Sequence, residues 1–415
     1  MIPKIKIYQS KYSNPKFSYV SIVVLIGSIY EKKNQEGISH FIEHLIFKGS
    51  KYNENIKNLN NKLNSMGMVV NAYTSQFLTK YYIHTPTIYI KEAIEALVQI
   101  VFNPLFRNTD IDDERQVVIN ELLQKYSSPD NLASMKAQKI MYSKENPLHK
   151  PVIGNIETLK KITKDDILNY YLSYYQPKNM IFNTSTKKNK NSIKKIWENA
   201  FENFGKNKFE YKNVPSTLSI FQKIKPKLSL IGKPNLYNLS NYFPNNKTNY
   251  VLISFVLQNL TKKERFVLDI FTSYLAGSLS SKLFIELREK RKLIYSISSY
   301  TDTNVDLTIM YIEFECEKDD KILYDCIKTI DKVLRYFYKN GMPKKEFEKF
   351  KNKNLINYEK IESSGPFKIN KYLSKYYYGV SEYGYKNILK KITNNYLNKH
   401  VEKIIKNKKE FVFIT

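Results

Sequence analysis

The chain of 415 residues carries 67 Lys and Arg against 39 Asp and Glu, which gives a formal net charge of +28. A chain of this length is too long to fold around one ordinary hydrophobic core, so two or more domains are expected. Its 42% hydrophobic content suffices for globular packing. No apolar stretch reaches the roughly 18 residues of a membrane span, and no span is expected. The two cysteines, Cys316 and Cys326, lack C-x-x-C spacing and are interpreted as reduced thiols, in preference to a bridge or a zinc site.

The positive charge has two interpretations. Clustered Lys and Arg supply most of the non-specific attraction of proteins to phosphate, so a nucleic acid or an anionic surface is one kind of partner. A general Lys and Asn bias, as an AT-rich genome produces, is the other explanation. Lysines are spread widely along this chain without an RNA- or DNA-binding signature, so the bias is favoured and no specific nucleic acid is expected.

The first predicted elements are strands. Residues 1–7 alternate apolar and polar side chains, and residues 20–26 form a short, β-branched apolar run that is typical of a buried strand. The N-terminal segment has neither a signal-peptide core nor the composition of a transit peptide. A cytoplasmic location is therefore expected, with an organellar or host-cell compartment left open.

The next element is a helix with a metal-binding pattern. In His40-Phe41-Ile42-Glu43-His44, residues three and four apart lie on one face of a helix, so two imidazoles and a carboxylate face the same space. The alternative is a pair of hydrogen-bonded core histidines with a glutamate at the rim. Only 5 His occur in the chain, so a chance H-x-x-E-H is uncommon and a metal site is favoured. The order matches the inverted zinc-protease signature.

Two histidines leave a hydrolytic zinc site incomplete, because such sites commonly use three protein ligands, as in a His₂Glu set. Residues 112–123 form a predicted helix that starts with acidic residues and has an apolar side. Glu114 and Glu121 are seven residues apart and project from one face of it. Taken alone, each glutamate is better explained as a solvated surface residue.

The remaining pattern divides the chain into two α+β halves. Gly and Pro residues mark a polar linker, and the second half restarts with an apolar strand at residues 250–256 and a helix at residues 262–275. It closes on a strand at residues 411–414. We predict a zinc-bearing domain over residues 1–205, a linker over 206–235 and a metal-free domain over 236–415.

The metal motif and its surroundings resemble a known family. Residues 40–44, preceded by Gly37 and followed by Phe47-Lys48-Gly49-Ser50, are similar to the pitrilysin, insulinase and mitochondrial processing peptidase family. The resemblance implies that the zinc ligands are His40, His44 and Glu121. It also implies that Glu43 is the general base and that Glu114 supports a ligand. Asn120 stands where many relatives have another glutamate.

The resemblance extends along most of the chain. Residues 71–75 resemble the edge strand on which the family lays an extended peptide, which implies that the substrate-binding residues are Asn71, Ala72, Tyr73, Thr74 and Ser75. The histidine usual just after this strand is absent. Residues 287–296 resemble the second-domain signature, in which Arg288 and Tyr295 hold the substrate. Lys292 replaces a frequent glycine there.

The resemblance also implies a fold and an activity. The fold is α+β, with two related domains that each have a mostly antiparallel sheet packed with helices on one side. The activity is that of a zinc-dependent endopeptidase with one Zn²⁺ per chain, acting on peptides or unfolded proteins inside a closed chamber. Relatives of this length work as a homodimer or as a heterodimer with a paralogue. The alternative is a non-catalytic subunit of a respiratory or processing complex.

Overall fold

The structure, a computed structural model, describes residues 6–10, 14–205, 212–215, 217–228, 230–304, 307–362, 369–370, 373, 385–406 and 409–415. These residues belong to two compact units, each assembled from three segments of the chain. Unit 1 takes Met1–Gln124, Lys150–Pro226 and Glu362–Leu373, and unit 2 takes Lys125–His149, Lys227–Ile361 and Ser374–Thr415. The predicted boundaries at residues 205 and 235 stay a prediction. Residues 1–5 of the predicted first strand and residues 206–211, 216 and 229 of the predicted linker lie outside the described residues.

Unit 1 contains a five-stranded sheet in the order β1-β5-β2-β4-β3. Its strands are β1 (Ile7–Ser10), β2 (Phe17–Val24), β3 (Val69–Thr74), β4 (Thr79–Pro86) and β5 (Met180–Ser185). Strand β1 pairs with β5 in parallel, and the other pairs are antiparallel. Strand β2 is central and nearly fully buried, which explains its β-branched apolar sequence. Strand β3 pairs only with β4 among the described residues and forms an edge of the sheet.

Helices of the first half of the chain are α1 (Ile38–Ile46), α2 (Ile56–Ser65), α3 (Ile90–Phe102), α4 (Asn108–Tyr126), α5 (Pro129–Met141), α6 (Ile156–Lys161), α7 (Lys164–Tyr174), α8 (Lys190–Phe204) and α9 (Thr217–Ile224). Helix α3 is largely apolar and packs against β2, β4 and α8. The rings of Phe102 and Phe182 stack at this contact, and Phe201 and Trp197 of α8 pack on Phe182. The apolar face of the first sheet is therefore covered by helices. Helix α9 lies within the segment predicted as a linker.

Unit 2 contains a second five-stranded sheet in the order β6-β10-β7-β9-β8. Its strands are β6 (Leu236–Asn238), β7 (Thr248–Gln258), β8 (Ile294–Asn304), β9 (Leu307–Glu317) and β10 (Lys409–Ile414). The first strand again pairs with the last in parallel, and the other pairs are antiparallel. Both sheets thus place their five strands in the same sequential order. The expected α+β fold with two related, mostly antiparallel sheets is confirmed.

The remaining helices are α10 (Lys262–Ala276), α11 (Asp320–Asn340), α12 (Lys344–Glu362), α13 (Tyr385–Lys391) and α14 (Asn394–Lys406). Helix α10 begins at a capping box, in which Thr261 and Glu264 bond each other's backbone N–H groups. It packs on β8 and β9, and α11 also contacts β9. The predicted helix at 262–275 and the predicted strands at 250–256 and 411–414 agree with α10, β7 and β10. None of the described helices combines the length and the hydropathy needed to cross a bilayer.

Candidate metal centre

The N-terminus of α1 is held by a buried carboxylate. The two oxygens of Glu31 accept hydrogen bonds from the backbone N–H groups of Gly37 at 2.8 Å and Ser39 at 2.9 Å. These groups are otherwise unpaired donors at a helix start, where negative charge is favourable. Burial nevertheless raises the pKa of Glu31 to about 7. Gly37 has a φ of 93°, and a Cβ there would lie 2.7 Å from the carbonyl oxygen of Ile153, so only glycine fits.

Helix α1 buries one side and presents His40 and His44 on the other. Phe41, Ile42 and Leu45 are buried in the core. The rings of His40 and His44 lie next to each other, with centroids 4.6 Å apart, as their four-residue spacing predicts. The two imidazoles are therefore oriented by the same helix and share one space.

Helix α4 brings a carboxylate to both histidines. Glu121 Oε2 lies 3.7 Å from His40 Nε2 and 3.5 Å from His44 Nε2. One donor atom from each of the three residues falls within 4.8 Å of the others. Four-coordinate zinc with ligand distances of about 2.1 Å separates its ligand atoms by roughly 3.4 Å. The spacing and the chemistry of the three donors fit a zinc ion.

Glu114 lies two turns before Glu121 on the same face of α4. It contacts His44 at Nδ1, the ring nitrogen that faces away from Glu121. Its Oε1 lies 2.8 Å from His44 Nδ1, and its Oε2 forms an ion pair with Lys48 Nζ at 2.9 Å. A carboxylate on the far ring nitrogen is the usual arrangement behind a zinc-binding histidine, because it fixes the tautomer and the ring. The hydrogen bond from His44 lowers the pKa of Glu114. Burial acts in the opposite direction, and Lys48 lowers this pKa further.

The charges around His44 also act on that residue. Burial lowers the pKa of His44, but the carboxylates of Glu114 and Glu121 outweigh it and raise this pKa to about 9. In the protein without metal, His44 is therefore protonated at neutral pH. Binding of a metal ion has to displace that proton, which makes metal affinity depend on pH.

Glu43 faces the same space and is tied to the edge strand. Its Oε2 accepts a hydrogen bond from Thr74 Oγ1 at 2.7 Å, and burial raises its pKa. Sequence spacing did not indicate this contact, nor the roles of Glu31 and Lys48. An acidic residue six positions before a helix start gives only a weak signal, because many exposed acids occupy such positions.

A pair of substitutions separates a ligand from its supporting group. Glu121→Gln is expected to lose most zinc affinity, because an amide oxygen is a poor replacement for a ligand carboxylate. Glu114→Gln should weaken zinc binding by about 10- to 100-fold, since it removes the charge behind His44 but no ligand. Competition with a chromogenic chelator measures both affinities. Full zinc affinity in Glu121→Gln, with loss in Glu114→Gln, would reverse the two assignments.

The comparisons with known proteins agree with this geometry. Residues 7–155 match the family "Insulinase (Peptidase family M16)", and residues 161–354 match "Peptidase M16 inactive domain". The chain belongs to peptidase family M16. An "Uncharacterized zinc protease" of Rickettsia felis is 28% identical over 75% of this chain and 71% of its own length. A Bacillus subtilis protein also called an uncharacterized zinc protease is 25% identical over 82% of this chain and 78% of its own length.

The M16 fold is also found among solved structures. A crystal structure of a protease from Helicobacter pylori superposes with a TM-score of 0.82 at 19% identity. The alignment covers 98% of this chain and 96% of that one. At this identity the likeness concerns the fold alone.

The second predicted pair of M16 residues lies in unit 2. Arg288 belongs to a π-helix at Phe284–Lys290, and its guanidinium carbon lies 4.7 Å from the centre of the Tyr295 ring. Arg288 also donates a hydrogen bond to the carbonyl oxygen of Ile294 at 3.2 Å. A β-bulge between Ile294 and Ile297 turns the Tyr295 side chain outward, and 77% of it is exposed. The two residues, seven apart, are therefore in contact, with Tyr295 exposed and Arg288 half-buried.

The turn that leads into β8 carries backbone strain at Lys292. This residue has a φ of 57°, a left-handed conformation that favours glycine. Lys292→Gly is expected to raise the free energy of unfolding by about 1 kcal/mol, as measured by urea unfolding. Its neighbour Arg291, with a φ of −106°, is the matched control, and Arg291→Gly should lower stability. A destabilised Lys292→Gly protein would contradict the assignment of strain.

The predicted substrate strand corresponds to β3 and the residue after it. Asn71, Ala72, Tyr73 and Thr74 lie in β3, and Ser75 follows its end. Side chains alternate between more and less exposed along the strand, with Asn71 and Tyr73 on the more exposed face. Thr74, on the other face, is the residue that bonds Glu43. The edge strand and helix α1 are thereby connected through hydrogen bonding between Thr74 and Glu43.

Proposed function

We propose that the protein is a zinc-dependent endopeptidase. The observation that carries this proposal is the convergence of His40 Nε2, His44 Nε2 and Glu121 Oε2 beside the carboxylate of Glu43. Membership of family M16 and the zinc protease names of the relatives support it. We assign one zinc ion per chain to His40, His44 and Glu121.

Glu43 is proposed as the general base, and it is not a ligand. A bound zinc ion supplies Lewis acidity, which makes water acidic near neutral pH and polarises a carbonyl group. Thr74 holds one oxygen of the Glu43 carboxylate, and the other oxygen is the atom to which we assign proton transfer. The same carboxyl group then delivers the proton to the leaving amine.

The substrate is proposed to be an extended or unfolded peptide. Among the described strands β3 pairs only with β4, so its outer edge can accept a peptide as an added strand, with backbone hydrogen bonds supplying affinity. Arg288 and Tyr295 are proposed to hydrogen-bond the substrate carbonyl or the adjacent backbone. Their mutual contact and the exposure of Tyr295 support this assignment. By resemblance, the working particle is a dimer that encloses the peptide in a chamber. The geometry does not support the alternative of a non-catalytic subunit, because the expected metal ligands His40, His44 and Glu121 are all present.

The proposal is tested with the purified chain and a mixed peptide library, with and without a chelator. Cleavage that the chelator abolishes and added zinc restores is expected, with products identified by mass spectrometry. Cleavage that persists without metal, or a zinc-loaded protein that cleaves no peptide, would refute the proposal.

A further inference from the structure

The polar face of the first sheet contains a buried lysine in an aromatic setting. Lys80 lies on β4 and is 1% exposed. Its ammonium nitrogen lies 5.0 Å from the ring centre of Tyr19, 5.8 Å from that of Tyr73 and 5.9 Å from that of Tyr82. A cation over aromatic faces is attracted by the ring quadrupole. The lysine therefore sits among three tyrosine rings that partly replace water around its charge.

No carboxylate of the described residues forms an ion pair with Lys80. Lys80 Nζ donates a hydrogen bond to the side-chain oxygen of Asn370 at 3.4 Å. Burial lowers the pKa of Lys80 to about 8. A buried charge is normally paired, since leaving water is costly for an isolated ion. The positive charge of Lys80 is thus only partly compensated, and it acts on whatever approaches this face.

Lys80 lies directly behind the edge to which a peptide would be added. Tyr73 of β3 and Lys80 of β4 are cross-strand partners, so both side chains project from the same face. Tyr73 is 38% exposed, whereas Lys80 behind it is buried. A peptide strand paired with β3 would place one of its side chains opposite Tyr73, on this same face. Neighbouring strands lie about 4.8 Å apart, so the peptide backbone would lie two strand spacings, or roughly 10 Å, from the backbone of Lys80. The peptide side chain opposite Tyr73 would extend from there towards the charge of Lys80.

We propose that Lys80, acting through the ring of Tyr73, makes the edge-strand site selective for peptides with an acidic side chain opposite Tyr73. The proposal rests on peptide binding at β3, which is part of the proposed function. It names a preferred substrate class: extended peptides with Asp or Glu at one position. Because side chains of a strand alternate between faces, a weaker preference is expected two residues away, opposite Asn71. Residues between these positions face the Thr74 side and should show no such preference.

The other groups around Lys80 leave its charge dominant. From β2, β3 and β4 it faces the hydroxyl-bearing rings of Tyr19, Tyr73 and Tyr82. The pKa values of Tyr19 and Tyr73 are raised, mainly by burial, so both stay neutral over the relevant pH range. His84 on β4 has its pKa lowered by burial and by Lys80, so it is neutral at pH 7. Asn370 carries no charge. Among the described residues of this face, Lys80 is therefore the group expected to change charge between neutral and mildly alkaline pH.

The test measures peptide binding rather than cleavage. Fluorescent peptide pairs that differ only by Glu or Gln at one position are scanned along an extended sequence. Binding is measured by anisotropy to the Glu43→Gln protein, which leaves the peptides intact. At about pH 7 we expect a Glu peptide to bind about tenfold more tightly than its Gln partner at one position, and less so two residues away. Lys80 loses its proton above pH 8, so this ratio should approach one at about pH 9.5.

Added substitutions separate Lys80 from general charge effects. Lys80→Met, an apolar side chain of similar length, should bring the ratio close to one at every position. Lys91→Met removes an exposed lysine from α3 and lowers the net charge equally, and it should keep the ratio. The pH dependence in the chain with Lys80 intact tests the proposal even if Lys80→Met fails to fold.

The outcomes distinguish this proposal from the proposed activity. A Glu to Gln ratio near one at all positions, or one that Lys80→Met or alkaline pH leaves unchanged, overturns the role of Lys80. A ratio that behaves as expected supports that role, even if the unsubstituted zinc-loaded chain cleaves none of the peptides. In that case the endopeptidase activity fails and selective peptide binding remains.

Discussion

Glu43→Gln is expected to abolish peptide hydrolysis while the chain keeps its zinc. The amide is nearly isosteric with the carboxylate and can still accept the hydrogen bond from Thr74, so the fold around the metal should persist. It cannot accept a proton from water. Loss of a positioned general base lowers rates by about 10²- to 10⁴-fold, so residual turnover should be at or below that level. Zinc content by atomic emission and cleavage of a quenched peptide measure the two properties separately.

His40→Ala is the companion to this experiment. It removes a proposed ligand, so both zinc and activity should be lost. Tyr52→Phe, which alters an exposed hydroxyl bonded to the carbonyl of Asn203, serves as the control and should change neither. Normal turnover by Glu43→Gln would eliminate the proposed mechanism, and zinc retained at full affinity by His40→Ala would eliminate the ligand set.

Mixing two inactive chains is expected to restore about a quarter of the activity. The first chain carries Glu43→Gln, and the second carries Arg288→Ala and Tyr295→Phe. In a homodimer where each Arg288 and Tyr295 pair serves the zinc of the partner, a mixed dimer has one site with both halves intact. Statistical mixing gives about half mixed dimers with one working site in two. Activity after subunit exchange is compared with that of the unsubstituted protein.

The same mixture decides between the two arrangements. If Arg288 and Tyr295 act within their own chain, every site in the mixture carries a lesion and no activity returns. Subunit exchange is confirmed independently with two differently tagged chains. Absence of rescue despite confirmed exchange would therefore exclude the shared site.

The grouping of the candidate metal ligands was largely predictable because it depends on helix geometry. The spacing of His40, Glu43 and His44 fixes their common face, and the seven-residue spacing of Glu114 and Glu121 fixes theirs. Which glutamate approaches the histidines depends on how α1 and α4 pack, so it was reached through the family resemblance. Glu31 accepts hydrogen bonds at the start of α1, and Glu43 accepts one from Thr74. These contacts join residues from different elements, and no local sequence pattern predicts them.

Element types were predictable where periodicity was strong. Strand β2 and helix α10 have unambiguous apolar patterns, and their predicted limits differ from the observed ones by few residues. Helix α9 was missed because Gly and Pro on both sides suggest a linker, although its own residues can form a short helix. The burial of Lys80 was not predictable either. Strand alternation places it on the polar face but does not reveal the tyrosine rings contributed by neighbouring strands.

The discontinuous units have a consequence for synthesis of the chain. The residues that converge at the metal centre all emerge from the ribosome before Gln124. The last segment of unit 1, with buried Ile369 and Leu373, begins at Glu362, 136 residues after Pro226 (362 − 226). At typical rates of elongation this delay is about 10 to 30 seconds. A nascent chain therefore holds an unfinished unit 1 while most of unit 2 is being made, and a truncated product ending at the predicted linker would never complete it.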